Sequence, residues 1–130
     1  MLIYRDNVFT QHDTGKHPEC VARIERVNAM LEANQWTTRA TCPEWEAASR
    51  ASIEKVHKTV YYDQLKTWCD AAAGRIEADT VVSRGSWEAA SRAAGAAIDS
   101  VQRVVRGEDA RAFCAIRPPG HHALASGPMG

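Results

Sequence analysis

The spacing of apolar residues changes period several times along the chain. Leu2-Ile3-Tyr4 is a short, continuously apolar run, the pattern of a buried strand, and a polar stretch follows it through His17. Cys20, Ile24, Val27 and Leu31 then recur at helical spacing, with Glu25, Arg26 and Glu32 off that stripe. Residues 18 to 34 are therefore expected to form an amphipathic helix, with Pro18 in the first turn, where its missing N–H costs nothing. Residues 35 to 50 show little periodicity beyond a short extended stretch expected at Thr41-Cys42-Pro43. From Ala51 a helical region begins in which Ile53, Val56 and Val60 share one face and Tyr61, Leu65 and Trp68 another; two short helices or one bent helix fit it. Residues 74 to 86 read as a loop ending in Gly85-Ser86, with Ser86 the N-cap of the next helix. That helix has the clearest pattern: Trp87, Ala90, Ala94, Ile98, Val101 and Val105 form a stripe, and Gly107 supplies the stop. Its small residues Ala89, Ala93, Gly95, Ala96 and Ala97 permit close packing on a sheet, and a buried strand is expected at 112 to 116. Strand, helices and strand in that order predict a parallel crossover, with the first and last strands in one sheet of an α/β domain.

At 130 residues the chain is one domain at most, and it is shorter than a closed eight-stranded α/β enzyme domain. Residues 1–130 are expected to be a single, incomplete domain. Sixteen basic and 16 acidic residues give a net charge of zero, and no run of like charge is present. Neither nucleic acid nor a membrane surface is indicated as a partner. The N-terminus has no signal-peptide pattern and no apolar run approaches bilayer length, so a cytoplasmic location is the expectation. Cys20, Cys42, Cys69 and Cys114 are widely spaced and expected to be reduced thiols. His17 and Cys20 stand one helical turn apart, but Pro18 lies between them and no second donor pair exists, so no metal site is expected there.

The candidate chemistry lies at 117–123, in Arg117-Pro118-Pro119-Gly120-His121-His122-Ala123. The Pro-Pro-Gly run drives the backbone out of the preceding strand into a stiff turn, which places two imidazoles just past a strand's carboxyl end. In open α/β sheets ligands bind at that edge, and histidine changes charge near neutral pH, so His121 and His122 read as a paired acid and base. The alternative is a capping loop whose histidines hydrogen-bond only to backbone. Cys114, next to this loop, reads as a buried inert thiol rather than a nucleophile.

The 117–123 run resembles the signature of the histone deacetylase and acetylpolyamine amidohydrolase superfamily. Two further blocks carry the likeness in the family's order: His12-Asp13-Thr14-Gly15-Lys16-His17-Pro18-Glu19 with Arg23, similar to its first active-site loop, and residues 78 to 90, similar to the next. The resemblance implies part of an arginase/deacetylase-like three-layer α/β fold with a mostly parallel sheet, ending after the strand that carries the His-His pair. It implies a zinc-dependent amidohydrolase of acetylated amines in which His121 and His122 are catalytic. Asp79 then falls at a substrate-binding rim, Arg23 near the inner end of the channel, and Pro18 and Gly130 on the channel wall. Asp79 reads equally as a loop carboxylate near a helix, and Arg23 as an exposed helix arginine. His57 resembles a histidine of the second helical region and is expected to cap or pack.

The family's zinc ligands include an Asp-X-His segment downstream of the pair, and no aspartate here is followed two residues later by histidine. No metal ligand, and no zinc in this chain alone, is expected. Two functional classes follow. In one, the chain is the N-terminal part of a deacetylase-like hydrolase, inactive alone and completed by a missing C-terminal portion that lets it act on an acetylated amine. In the other it is a non-catalytic protein that self-associates, most simply as a homodimer, through the sheet edge and apolar surface such a piece exposes.

Overall fold

The computed structural model describes residues 1–129. Strand β1 (Leu2–Tyr4) lies at the centre of a small parallel sheet. On one side it pairs in parallel with β4 (Ala112–Cys114), in the register Leu2 to Ala112, Ile3 to Phe113 and Tyr4 to Cys114. On the other side, Thr41 makes a parallel bridge to Leu2 within the short extended stretch expected there. The Ile3 N–H donates to the Thr41 carbonyl at 2.9 Å. Alternation sends Ile3 and Tyr4 to opposite faces, and both are fully buried, so this sheet is covered on both sides as parallel sheets are.

The main cover is α5 (Ser86–Val105), an Ala-rich helix of 20 residues. Its buried residues are Ser86, Ala89, Ser91, Ala93, Gly95, Ala96 and Ser100, among them four of the five small residues expected to pack on a sheet. Val101 and Val105 are 62% and 80% exposed. Closeness of approach decides between the two faces. Residues 45–48 lie directly on the helix, the Trp45 indole donating to the Arg92 carbonyl at 3.0 Å and the Ala48 N–H to the Ser91 carbonyl at 2.9 Å. A segment that near leaves room only for small side chains. Trp87, Ala90 and Ala94 turn instead toward α4 (Thr59–Asp70), where the Tyr62 ring meets Trp87 edge-on at 4.9 Å.

Three expectations are corrected, at the first helix, at residues 74 to 86 and at β4. Helix α1 is Val21–Ala33, not residues 18 to 34. Cys20 is extended (φ −145°), and Pro18 belongs to the preceding loop because the carbonyl and carboxylate of Glu19 are both engaged by groups outside the helix. Residues 74 to 86 are not all loop: β2 (Gly74–Glu77) and β3 (Thr80–Val82) form an antiparallel hairpin, its turn closed by Thr80 Oγ1 donating to the Glu77 carboxylate. The helical region after residue 50 is two helices, α3 (Arg50–Ile53) and α4, one of the two arrangements expected, with Val56 and Val60 69% and 77% exposed between and on them. Strand β4 ends at Cys114, and Phe113 is 40% exposed while Cys114 points at the Ala96 carbonyl of α5. A four-residue helix, α2 (Trp36–Arg39), completes the set. Among the described residues no helix is long and apolar enough to cross a membrane.

Candidate active site

Three loops meet past the carboxyl ends of β1 and β4, and the side chain that joins two of them is Arg117. It is 3% exposed, and its guanidinium donates through Nε and Nη2 to the two oxygens of Glu19 at 2.9 and 2.8 Å. Its Nη1 donates to the carbonyls of Phe9 and His12, both at 2.7 Å. The planar fork of arginine suits such a set, because a carboxylate takes two of its N–H groups in parallel. His12 extends the network to the third loop: its Nδ1 lies 2.7 Å from Ser86 Oγ, which also accepts the Ser83 N–H at 2.8 Å. Ser86 is thus the first residue of α5, with Gly85 as N-cap, and its hydroxyl faces the loop rather than capping the helix as expected.

Downward shifts of both groups hold this network in one protonation state. Burial and then the Arg117 charge push His12 below the ordinary histidine range, against a smaller pull from Glu19. For Glu19 burial favours the neutral acid, but the hydrogen bonds and charge of Arg117 outweigh it and hold the carboxyl below the usual range. The folded site therefore contains a neutral imidazole beside a carboxylate. Both groups take up protons less readily folded than unfolded, so their stabilisation is complete above about pH 6.5 and is lost as pH falls. Urea midpoints should decline from pH 7 toward pH 4, and His12→Asn should flatten the upper part of that decline, just below about pH 6.5. An unchanged slope in His12→Asn would contradict the assignment.

The rim has its own hydrogen-bond chain. The Glu19 N–H donates to His17 Nδ1 at 3.1 Å, so that nitrogen is an acceptor and the ring proton of the neutral form sits on Nε2. His17 Nε2 then donates to Asp79 Oδ1 at 2.9 Å. Asp79 itself is largely exposed in the β2–β3 turn. His17, Asp79, Pro118 and Gly120 all border one cavity of about 510 Å³, which runs inward along Trp87 and Tyr61.

His121 and His122 are exposed, with ring centroids 4.2 Å apart and planes tilted by 48°. Gly120 and Ala123 on either side of the pair line the cavity; the two rings do not. Among the described residues neither ring makes a hydrogen bond, so the capping-loop alternative has no bonded partner to support it. Pro18 is exposed beside His17, and Arg23 is exposed on α1, where its charge reaches Glu19 only through space. Gly130 lies outside the described residues. His57 packs edge-on against Tyr61 at 5.4 Å and donates from Nδ1 to the Leu124 carbonyl at 2.9 Å, which ties the histidine loop to the start of α4. The thiols are poorly suited to attack: burial raises both Cys114 and Cys69, the latter to about 11.

Sequence reasoning quoted His12, Glu19 and Arg117 inside motifs and gave none of them a role. The available signal was an arginine at the end of a buried strand, where an unpaired charge is not tolerated, and a lone glutamate at the mouth of α1 to meet it. Among the described residues no three His, Cys, Asp or Glu side chains come together in a group able to hold a metal ion. The donor set does not fit zinc: among the described residues His121 and His122 have no carboxylate or thiol beside them, and His12 and Glu19 are committed to Ser86 and Arg117.

Residues 17–130 match the histone deacetylase domain. The chain is 32% identical over 114 residues to the histone deacetylase-like amidohydrolase of Pseudomonas aeruginosa, a match covering 88% of this chain and 30% of that protein. It is 30% identical over 146 residues to the chloroplastic histone deacetylase 14 of Arabidopsis thaliana, covering 99% of this chain and 34% of that one. The crystal structure of the HDA15 HD domain superposes with a TM-score of 0.94 at 24% identity, over 99% of this chain and 38% of that chain, which establishes the fold. The chain thus spans about a third of the length of the relatives it matches. With the domain matched from His17 to the last residue and the fold superposing almost throughout, this chain belongs to the histone deacetylase family.

Proposed function

We propose that this chain supplies the acid–base half of a zinc-dependent amide-hydrolysing site that acts on acetylated amines of the acetyl-lysine or acetylpolyamine type. The observation that carries the reading is the exposed His121–His122 pair, ring to ring and with no hydrogen bond among the described residues, past the carboxyl end of a parallel strand. One imidazole accepts the proton of an attacking water, and the other, protonated, donates to the departing amine nitrogen. Asp79, held by His17 at the cavity rim, accepts from a substrate N–H on this reading, which its hydrogen bond to His17 and its exposure support. On this reading the metal is held by residues outside this chain, and the chain alone is inactive.

The experiment joins this chain to the part of the Pseudomonas amidohydrolase that lies beyond the match and follows acetate release from an acetyl-lysine peptide and an acetylated polyamine. Release should fall on the order of 10²-fold or more in both His121→Ala and His122→Ala. Release that survives both substitutions would reject the acid–base roles.

A second reading, self-association without catalysis, is favoured by one specific feature: β4 has β1 on one side and no strand on the other among the described residues, with Phe113 exposed beside it. A free strand edge recruits another strand. Light scattering should then give twice the chain mass, and a monomer at high concentration would remove this reading.

A further inference from the structure

The loop that carries the histidine pair is pinned at both ends and free in the middle. Its far end is held by backbone and by one ring: the Leu124 carbonyl accepts from His57 Nδ1, and the Ala125 carbonyl accepts from the Lys58 N–H at 2.7 Å. Its near end is held by Arg117, the last buried side chain before the pair. Between these pins Ala123 N–H closes back on the Gly120 carbonyl at 3.0 Å, and the two rings rest on each other. Nothing else among the described residues bonds to them, so their relative orientation follows from where the pins hold the loop.

The near pin is unusually determined. Four hydrogen bonds from one guanidinium reach two separate stretches of the first loop, at Phe9 and His12 and again at Glu19. Glu19 is fixed in turn, its N–H on His17 and its carbonyl accepting from Thr14 Oγ1. A rotation of Arg117, itself 3% exposed, would have to break several charge-assisted bonds at once.

We propose that Arg117 and Glu19 are positioning residues for His121 and His122, their buried fork setting the direction in which the Pro118–Gly120 turn delivers the two rings. The inference rests on the acid–base reading of the pair for its functional meaning, but its test reads ring geometry and not activity. Arg117→Lys keeps the charge and loses the fork, since an ammonium cannot meet both carboxylate oxygens and both carbonyls in one plane. Glu19→Gln keeps the shape and loses the charge.

In the purified chain, two-dimensional NMR should show a cross-peak between the His121 and His122 ring protons, as rings this close require. Arg117→Lys should abolish that cross-peak and shift both sets of ring signals, while the Trp45 indole N–H, bonded to Arg92 on the far side of α5, stays in place. An intact cross-peak and unshifted rings in a folded Arg117→Lys would overturn the proposal. Should that variant not fold, Glu19→Gln carries the same expectation and the same contrary result. The outcomes separate cleanly from the function: acetate release that ignores His121→Ala defeats the acid–base roles whatever the rings do, and rings that ignore Arg117→Lys defeat the tie whatever the activity.

Discussion

Arg117→Ala is expected to be the most destabilising single change in this chain, costing about 3–5 kcal/mol. The substitution leaves the Glu19 carboxylate, 15% exposed, without its bidentate partner and leaves the carbonyls of Phe9 and His12 without their donor. Removing one partner of a buried pair costs far more than the pair itself contributes, because the stranded charge keeps its desolvation penalty. Against a total stability of roughly 5–15 kcal/mol the loss removes a large fraction of what holds the fold together. Urea titration should show the midpoint falling sharply, whereas Lys66→Ala, which breaks an exposed pair with Asp70, should leave it in place. Equal midpoints for wild type and Arg117→Ala would show that the tie is not a structural element at all.

Gly95→Ala comes second, and its sign is the informative part. In the interior of a helix alanine is favoured over glycine by about 1 kcal/mol, so propensity alone predicts a gain. A Cβ on Gly95 would stand 2.0 Å from the Glu46 carbonyl oxygen, 2.9 Å from the Ala48 nitrogen and 3.0 Å from the Ala47 carbonyl carbon. All three are backbone atoms of a segment fixed to α5 by the Trp45 and Ala48 hydrogen bonds, so relief requires moving that segment off the helix. Overpacking of this kind costs about 1–3 kcal/mol, and here it should exceed the propensity gain. Thermal denaturation should show a lower midpoint for Gly95→Ala; a higher one would mean that residues 46–48 do not lie against α5.

The elements that sequence reads well are those whose pattern is local. The apolar run at 2–4, the helical spacing after Cys20 and the long alanine-rich segment closed by Gly107 each announce themselves within one or two turns. The parallel pairing of β1 with β4 follows from element order and handedness rather than from any contact. What was misread depends on partners far along the chain. The small residues of α5 were expected to pack on a sheet, but that residues 45–48 also lie against them is reported by no periodicity within the helix. The Arg117–Glu19 bonds span 98 residues and the bond to His12 spans 105, so nothing in either neighbourhood reveals the pairing. The β2–β3 hairpin was hidden by its brevity and by a register shift between Arg75 and Glu77, which breaks the alternation that marks a strand. The His121–His122 pair was legible because Pro118-Pro119-Gly120 fixes its backbone context by sequence alone, while its pins at Arg117 and His57 were not.

The proposed function gives this chain the acid–base pair of a deacetylase-like site and assigns the metal-holding part to residues beyond it. The most direct test is acetate release from an acetyl-lysine peptide by the purified 130-residue chain in the presence of added zinc, with His121→Ala alongside. The account predicts no release above buffer from either protein. Zinc-dependent release by the chain that disappears in His121→Ala would contradict it, and would mean that these residues assemble a complete site on their own.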